Sequence, residues 1–147
     1  MRYLLIPLIL LGGCSRGAVN PQTPLPPRPV TFAIAGTADM NRGNAVVVRL
    51  YALRSVAAVE RATLEEVWAD DAAVLGPDLV EQTEVRLFPG ESARVELDAA
   101  GATHVALVAN LREPARDGWR QVFEVPGLRG RVASVSIGSD RVTIGGR

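Results

Sequence analysis

The spacing of apolar positions changes several times along the chain. Residues 1–13, "MRYLLIPLILLGG", place Arg2 before an apolar run from Tyr3 to Leu11, and two glycines follow. The run is far too short for a membrane-spanning helix, which takes about 20 residues. Its order, charge then apolar then small, is that of a secretory leader. Residues 20–29, "NPQTPLPPRP", hold five prolines in ten positions, which excludes a helix or a central strand. This segment reads as an extended tether spanning about 30 Å at about 3.1 Å per residue.

From Thr31 the period shortens toward two. "TFAIAGTA" alternates weakly and reads as a first strand, followed by the loop "DMNRGN" (39–44). "AVVVRLYAL" (45–53) is a strong strand with Val46, Val48 and Leu50 on one face and Val47, Arg49 and Tyr51 on the other. The middle of the chain turns helical. Val56 and Val59 mark a first short piece, Thr63 and Glu66 form a capping box, and Leu64, Val67 and Trp68 follow as a stripe facing the core. "DDAAVLGPD" (70–78) reads as a last helical turn stopped by Gly76 and Pro77.

Strands then resume at 83–88, 93–99, 104–112, 119–125, 131–137 and 141–144, separated by turns such as Pro89-Gly90-Glu91 and Gly138-Ser139-Asp140. The run at 104–112 is almost wholly apolar, as a central strand is, and the last two strands read as a closing hairpin. Seven or eight short strands with one helical insertion predict a mainly β protein, a β-sandwich.

Composition narrows the function. Sixteen basic side chains, all arginine, balance sixteen acidic ones, which argues against a nucleic-acid binder with its basic stripe. Fourteen glycines and ten prolines suit short strands joined by turns. A domain of this size buries about two-thirds of its unfolded surface and needs no disulfide or structural metal. Candidate chemistry is sparse. His104 is the only histidine, Asp70-Asp71 reads as a helix N-cap, and Trp68 and Trp119 read as core aromatics. No nucleophile, zinc, phosphate-loop or dinucleotide motif is present, so the chain is expected to be non-catalytic and to need no metal or cofactor.

The only cysteine, Cys14, has no disulfide partner in the chain. Leu11-Gly12-Gly13-Cys14 resembles the lipobox of bacterial lipoproteins. That resemblance implies a diacylglyceryl group on the Cys14 thiol, cleavage after Gly13 and acylation of the new amino terminus. Several acyl chains together anchor firmly where one holds only marginally. Ser15, rather than aspartate, follows the cysteine, which in such lipoproteins implies release to the outer membrane.

Beyond the leader, four stretches resemble the TssJ (SciN, VasD) lipoproteins of type VI secretion systems: "NRGNAVVVRLYAL" (41–53), "LEEVWADDAAVLGPDL" (64–79), "VRLFPGESARVEL" (85–97) and "VALVANLREPARDGWRQV" (105–122). They stand in family order and spacing. Leu64 and Leu111 take places where the family usually carries an aromatic, and Asn44-Ala45 replaces a usual proline.

The resemblance implies a transthyretin-like two-sheet sandwich held by Cys14 to the inner leaflet of the outer membrane of a Gram-negative cell. It divides the chain into a lipoprotein signal peptide (1–13), a lipid anchor and tether (14–30) and the sandwich domain (31–147). Its implied partner is the periplasmic part of TssM, in a trans-envelope complex with TssL. In the family the loop between the first two strands is implicated in that contact, which here designates Asp39, Met40, Asn41, Arg42, Gly43 and Asn44. Met40 offers adaptable apolar contact there, Arg42 a guanidinium fork and Gly43 a bend. Two other readings stay open: a sandwich-fold periplasmic lipoprotein that binds a ligand or pilots another outer-membrane pore, and an enzyme, for which no residue set speaks.

Overall fold

In the computed structural model, Pro26 and residues 28–145 are described; the leader, Cys14 and most of the tether lie outside them. Eight strands form two four-stranded sheets. The first sheet has the order β4 (Ser92–Asp98), β1 (Pro29–Gly36), β7 (Val132–Ile137), β8 (Val142–Ile144). The second has the order β3 (Leu79–Leu87), β2 (Val46–Leu53), β5 (His104–Ala109), β6 (Arg120–Glu124). All pairings are antiparallel except β1 with β7, which run parallel. The expected sandwich is thus observed.

The inward faces follow the alternation in the sequence. Phe32 and Ile34 of β1 meet Val48 and Leu50 of β2, Leu107 of β5, and Val135 and Ile137 of β7, with no more than traces of exposure. Phe32 and Phe123 pack edge to face, ring centres 5.3 Å apart. Burying each such side chain contributes about 1.5–3 kcal/mol.

The helical insertion comprises α1 (Ala57–Arg61), α2 (Leu64–Ala69) and α3 (Asp71–Leu75), closed by a 3-10 turn at Gly76–Asp78. It covers the outer face of the second sheet, where Val59, Leu64, Val67 and Leu75 pack on Tyr51, Leu53, Ala106, Val108 and Trp119. β2 and β5 are therefore buried on both faces, which explains their nearly continuous apolar sequences. The capping box is present in full: the Glu66 N–H donates to Thr63 Oγ1, and the Thr63 N–H donates to Glu66 Oε2. Leu64 and Leu111, which replace aromatics of the family pattern, are both buried.

Several boundaries differ from the sequence reading, each because pairing with a distant strand decides them. β1 starts at Pro29 instead of Thr31, since Pro29 stands opposite Asp98 and a first strand position tolerates a missing N–H. β3 starts at Leu79, paired with Leu53 across a bulge. β5 ends at Ala109 rather than at residue 112, because the Asn110 N–H turns to the Val47 carbonyl. A short helix, α4 (Val125–Leu128), follows β6 where only a strand was expected.

Candidate functional site

Four connections cluster at one end of the sandwich, and the loop between β1 and β2 is stitched to each of the others. The Gly90 N–H donates to the Thr37 carbonyl and the Asn41 N–H to the Gly138 carbonyl. Asn41 Oδ1 accepts the backbone N–H of Arg112 at 2.8 Å, while its Nδ2 donates to the Ala45 carbonyl at 2.9 Å. Asn44 folds back to donate to the Asn41 and Arg42 carbonyls. Thr37 and Asp39 are joined by a 2.7 Å hydrogen bond.

This stitching holds an unusual backbone. Asn41, Arg42 and Gly43 have φ of 47°, 55° and 80°, three successive left-handed residues. Glycine and asparagine enter that region readily, whereas arginine does so only at a cost of roughly 1–2 kcal/mol. The surrounding hydrogen bonds over-determine the shape, and the 3-10 turn Met40–Gly43 results.

The expectation for Met40 is corrected by this geometry. Its side chain is fully buried and belongs to the core, below Gly36, where a Cβ would stand 2.6 Å from Met40 Sδ. Met40 therefore plugs the end of the sandwich and has no surface to offer a partner. Asn41 is likewise 3% exposed and works as an internal clamp. The loop presents Asp39, Arg42 and Gly43, with Asn44 half-buried. Arg42 reaches Glu113 at 2.7 Å, an exposed pair that contributes little to stability.

Phe88 was missed as a surface residue by the sequence reading. It is 51% exposed at the end of β3, on the turn whose Gly90 bonds to Thr37. The signal was present in "TEVRLF": Val85 and Leu87 alternate inward, which places Phe88 on the outer face with Glu84 and Arg86. An exposed aromatic beside a rigid, charged loop is the composition of a protein-contact patch.

The other singled-out residues take structural places. Asp70 caps α3 by accepting from the Ala73 N–H, as expected. Asp71 accepts the Tyr51 hydroxyl at 2.9 Å and lies 3.4 Å from Arg49, whose guanidinium also bonds Glu84 and stacks over Trp68 at 3.9 Å. Burial, with the Asp71 carboxylate, pushes the Tyr51 hydroxyl well above the ordinary tyrosine range. For Arg49 burial works downward, but the hydrogen bonds to Glu84 and Tyr51 hold the guanidinium above its usual value. Trp119 is buried and Arg120 stacks on it. Arg120 also donates to the carbonyls of Val59, Glu60 and Ala62, closing the C-terminal end of α1.

His104 and Glu124 are cross-strand neighbours lining one open cleft. No hydrogen bond joins them, and the His104 Nδ1 lies instead 2.8 Å from Thr103 Oγ1. Among the described residues no group of three histidines, cysteines or carboxylates is placed to hold a metal, and no helix is long and apolar enough to cross a membrane.

Residues 28–144 match the family described as type VI secretion lipoprotein, VasD, EvfM, TssJ. The crystal structure of the type VI lipoprotein TssJ1 from Pseudomonas aeruginosa is similar at 30% identity and a TM-score of 0.72, over 83% of this chain and 98% of that one. The structure of Serratia marcescens Lip, a membrane-bound component of the type VI secretion system, aligns at 19% identity and TM-score 0.73, over 82% and 98%. A chain in a structure described as the TssM C-terminal domain from EAEC aligns at 20% identity and TM-score 0.72, over 81% and 98%. These last two likenesses are of fold. No curated protein matches the sequence.

Proposed function

The chain belongs to the type VI secretion lipoprotein family, and from that premise we propose that it anchors a type VI trans-envelope complex at the outer membrane without catalysing a reaction. Cys14 carries the acyl chains after cleavage behind Gly13, and residues 15–27 tether the sandwich on the periplasmic side of the membrane. The partner is the periplasmic domain of TssM, within a complex that includes TssL. Support for the partner comes from the likeness to a chain in a TssM C-terminal-domain structure.

The observation that carries the contact site is the stitched loop itself. A left-handed run at Asn41–Gly43, held by hydrogen bonds to three other connections, presents Arg42 and Asp39 with little conformational freedom left to lose. Such preorganisation lowers the entropic cost of association. Phe88 supplies apolar area beside it. Met40 and Asn41 act on the contact only through the loop's shape.

The test is a pull-down from detergent-solubilised envelopes, with mass spectrometry of the bait's first peptide and of its partners. The expected result is a peptide beginning at triacylated Cys14 and co-purification of a TssM-like protein. An acylated Cys14 without that partner overturns the assigned contact. An unmodified Cys14 overturns the anchor.

A further inference from the structure

The end of the sandwich opposite the stitched loop is where the chain arrives from Cys14, and its surface has a different chemistry. Arg28 and Arg129 line one cleft of about 370 Å³ with Pro29, Val30, Val125 and Gly130. Arg131, two residues on, lines a neighbouring cleft with Leu128, Val132 and Ile144. All three arginines are exposed, and none pairs with a carboxylate among the described residues. At the loop end Arg42 and Arg141 are paired with Glu113 and Asp140, while Arg112 and Arg116 are exposed without a carboxylate partner among the described residues but have no exposed large aliphatic side chain beside them. The nearby acidic groups are Asp98 and Glu124. Asp98 accepts the backbone N–H groups of Arg28 and Ala100, which hold its carboxyl below the usual range.

Val132 and Ile144 are 41% and 60% exposed, and with Phe88 they are the exposed large apolar side chains of the described residues. Apolar side chains flanked by unpaired arginines match the two layers of a phospholipid surface, acyl boundary and phosphate.

We propose that this end, Arg28, Arg129, Arg131, Val132 and Ile144, is a docking face for anionic phospholipid headgroups. The inference rests on the reading of Cys14 as a lipid anchor. Only residues 15–27 separate the anchor from Arg28, a path of about 40 Å at the polyproline rise of about 3.1 Å per residue. A tether that short keeps the face at high effective concentration above the bilayer and so strengthens a contact that the face makes by itself. Docked this way, the domain turns the Arg42–Phe88 end away from the membrane. A basic and apolar face also supplies the second signal that supplements acyl chains.

The experiment uses residues 15–147, which carry no acyl group and include both sheets and the helical insertion. Co-sedimentation is measured with vesicles of pure phosphatidylcholine and with vesicles of equal parts phosphatidylcholine and phosphatidylglycerol. Binding is expected only to the latter, to fall as salt rises, and to weaken roughly tenfold or more in Arg28→Gln/Arg129→Gln/Arg131→Gln. Ile144→Ser weakens it further.

A control with the same charge change elsewhere, Arg61→Gln/Arg86→Gln/Arg112→Gln, keeps the binding. Thermal unfolding of each variant verifies the fold. Equal binding to both vesicle types, absence of binding, or equal losses in the two triple variants overturns the proposal. So does a concentration-dependent dimer abolished by Ile144→Ser, which assigns the face to a second copy. Because this protein lacks the lipid, the result is independent of Cys14: mass spectrometry of the natural N-terminus decides the anchor, and vesicle binding decides the face.

Discussion

Asn41 Oδ1 accepts the Arg112 backbone N–H at 2.8 Å, joining residues 71 positions apart. The side chain's other end donates to the Ala45 carbonyl, and its own N–H reaches the Gly138 carbonyl. One residue thus ties the β1–β2 loop to the β5–β6 connection through its side chain and to the β7–β8 connection through its backbone N–H, and lies almost wholly out of water. Asn41→Ala strands the Arg112 N–H and keeps a left-handed backbone without the residue type that suits it. The expected cost is about 2–3 kcal/mol in denaturant unfolding, with weakened TssM binding. A midpoint within error of the parent's would show that the clamp is dispensable.

Arg42 and Phe88 separate contact from stability. Arg42→Ala removes only an exposed ion pair, and Phe88→Ser removes an aromatic that is half in water. Each should shift unfolding by less than about 0.5 kcal/mol. Each should weaken binding to the TssM periplasmic domain by about 1–2 kcal/mol in titration calorimetry. Unchanged affinity in both variants would move the contact away from this end.

Arg120 fastens the helical insertion to β6. Its guanidinium serves the carbonyls of Val59, Glu60 and Ala62 and also bonds Asp117. Arg120→Gln cannot reproduce that fork, and Arg120→Lys keeps the charge without the geometry. Either should destabilise by about 2–4 kcal/mol. Hydrogen exchange should accelerate at the Glu60 and Ala62 amides before it does in β2 or β5. Uniform acceleration across both sheets would contradict a local fastening role.

Tyr51 is the only tyrosine after the leader, so tyrosinate absorbance reports it alone in residues 15–147. Burial, with the Asp71 carboxylate, raises its folded pKa above the ordinary tyrosine value of about 10. The unfolded chain therefore releases this proton first, and stability falls as pH rises past about 10. The contribution is complete below that pH and is lost as pH approaches the raised folded value. Absorbance should lag the normal titration until unfolding sets in. Tyr51→Phe should cost about 1 kcal/mol at neutral pH and lessen the alkaline loss. A normal tyrosinate titration in the folded state would place the hydroxyl in water.

The features legible in the chain were local ones. Alternation in "AVVVRLYAL", the Thr63–Glu66 capping box and the Pro89-Gly90 turn are each written within a few residues, and each is present as read. The Asp70 cap was legible for the same reason, since it bonds three residues on. Phe88 went unread, although the alternation of Val85 and Leu87 just before it already placed it on the polar face. Tertiary structure alone decided the rest. Met40 looked like a loop residue because its neighbours are polar, yet the closing of two sheets draws it into the core beneath Gly36. Asn41 and Arg120 owe their roles to partners dozens of residues away, and the parallel pairing of β1 with β7 joins the two ends of the domain. A periodic pattern records which face of an element leaves water. It does not record which distant carbonyl or N–H that element will meet, because that choice is made only when the sheets pack.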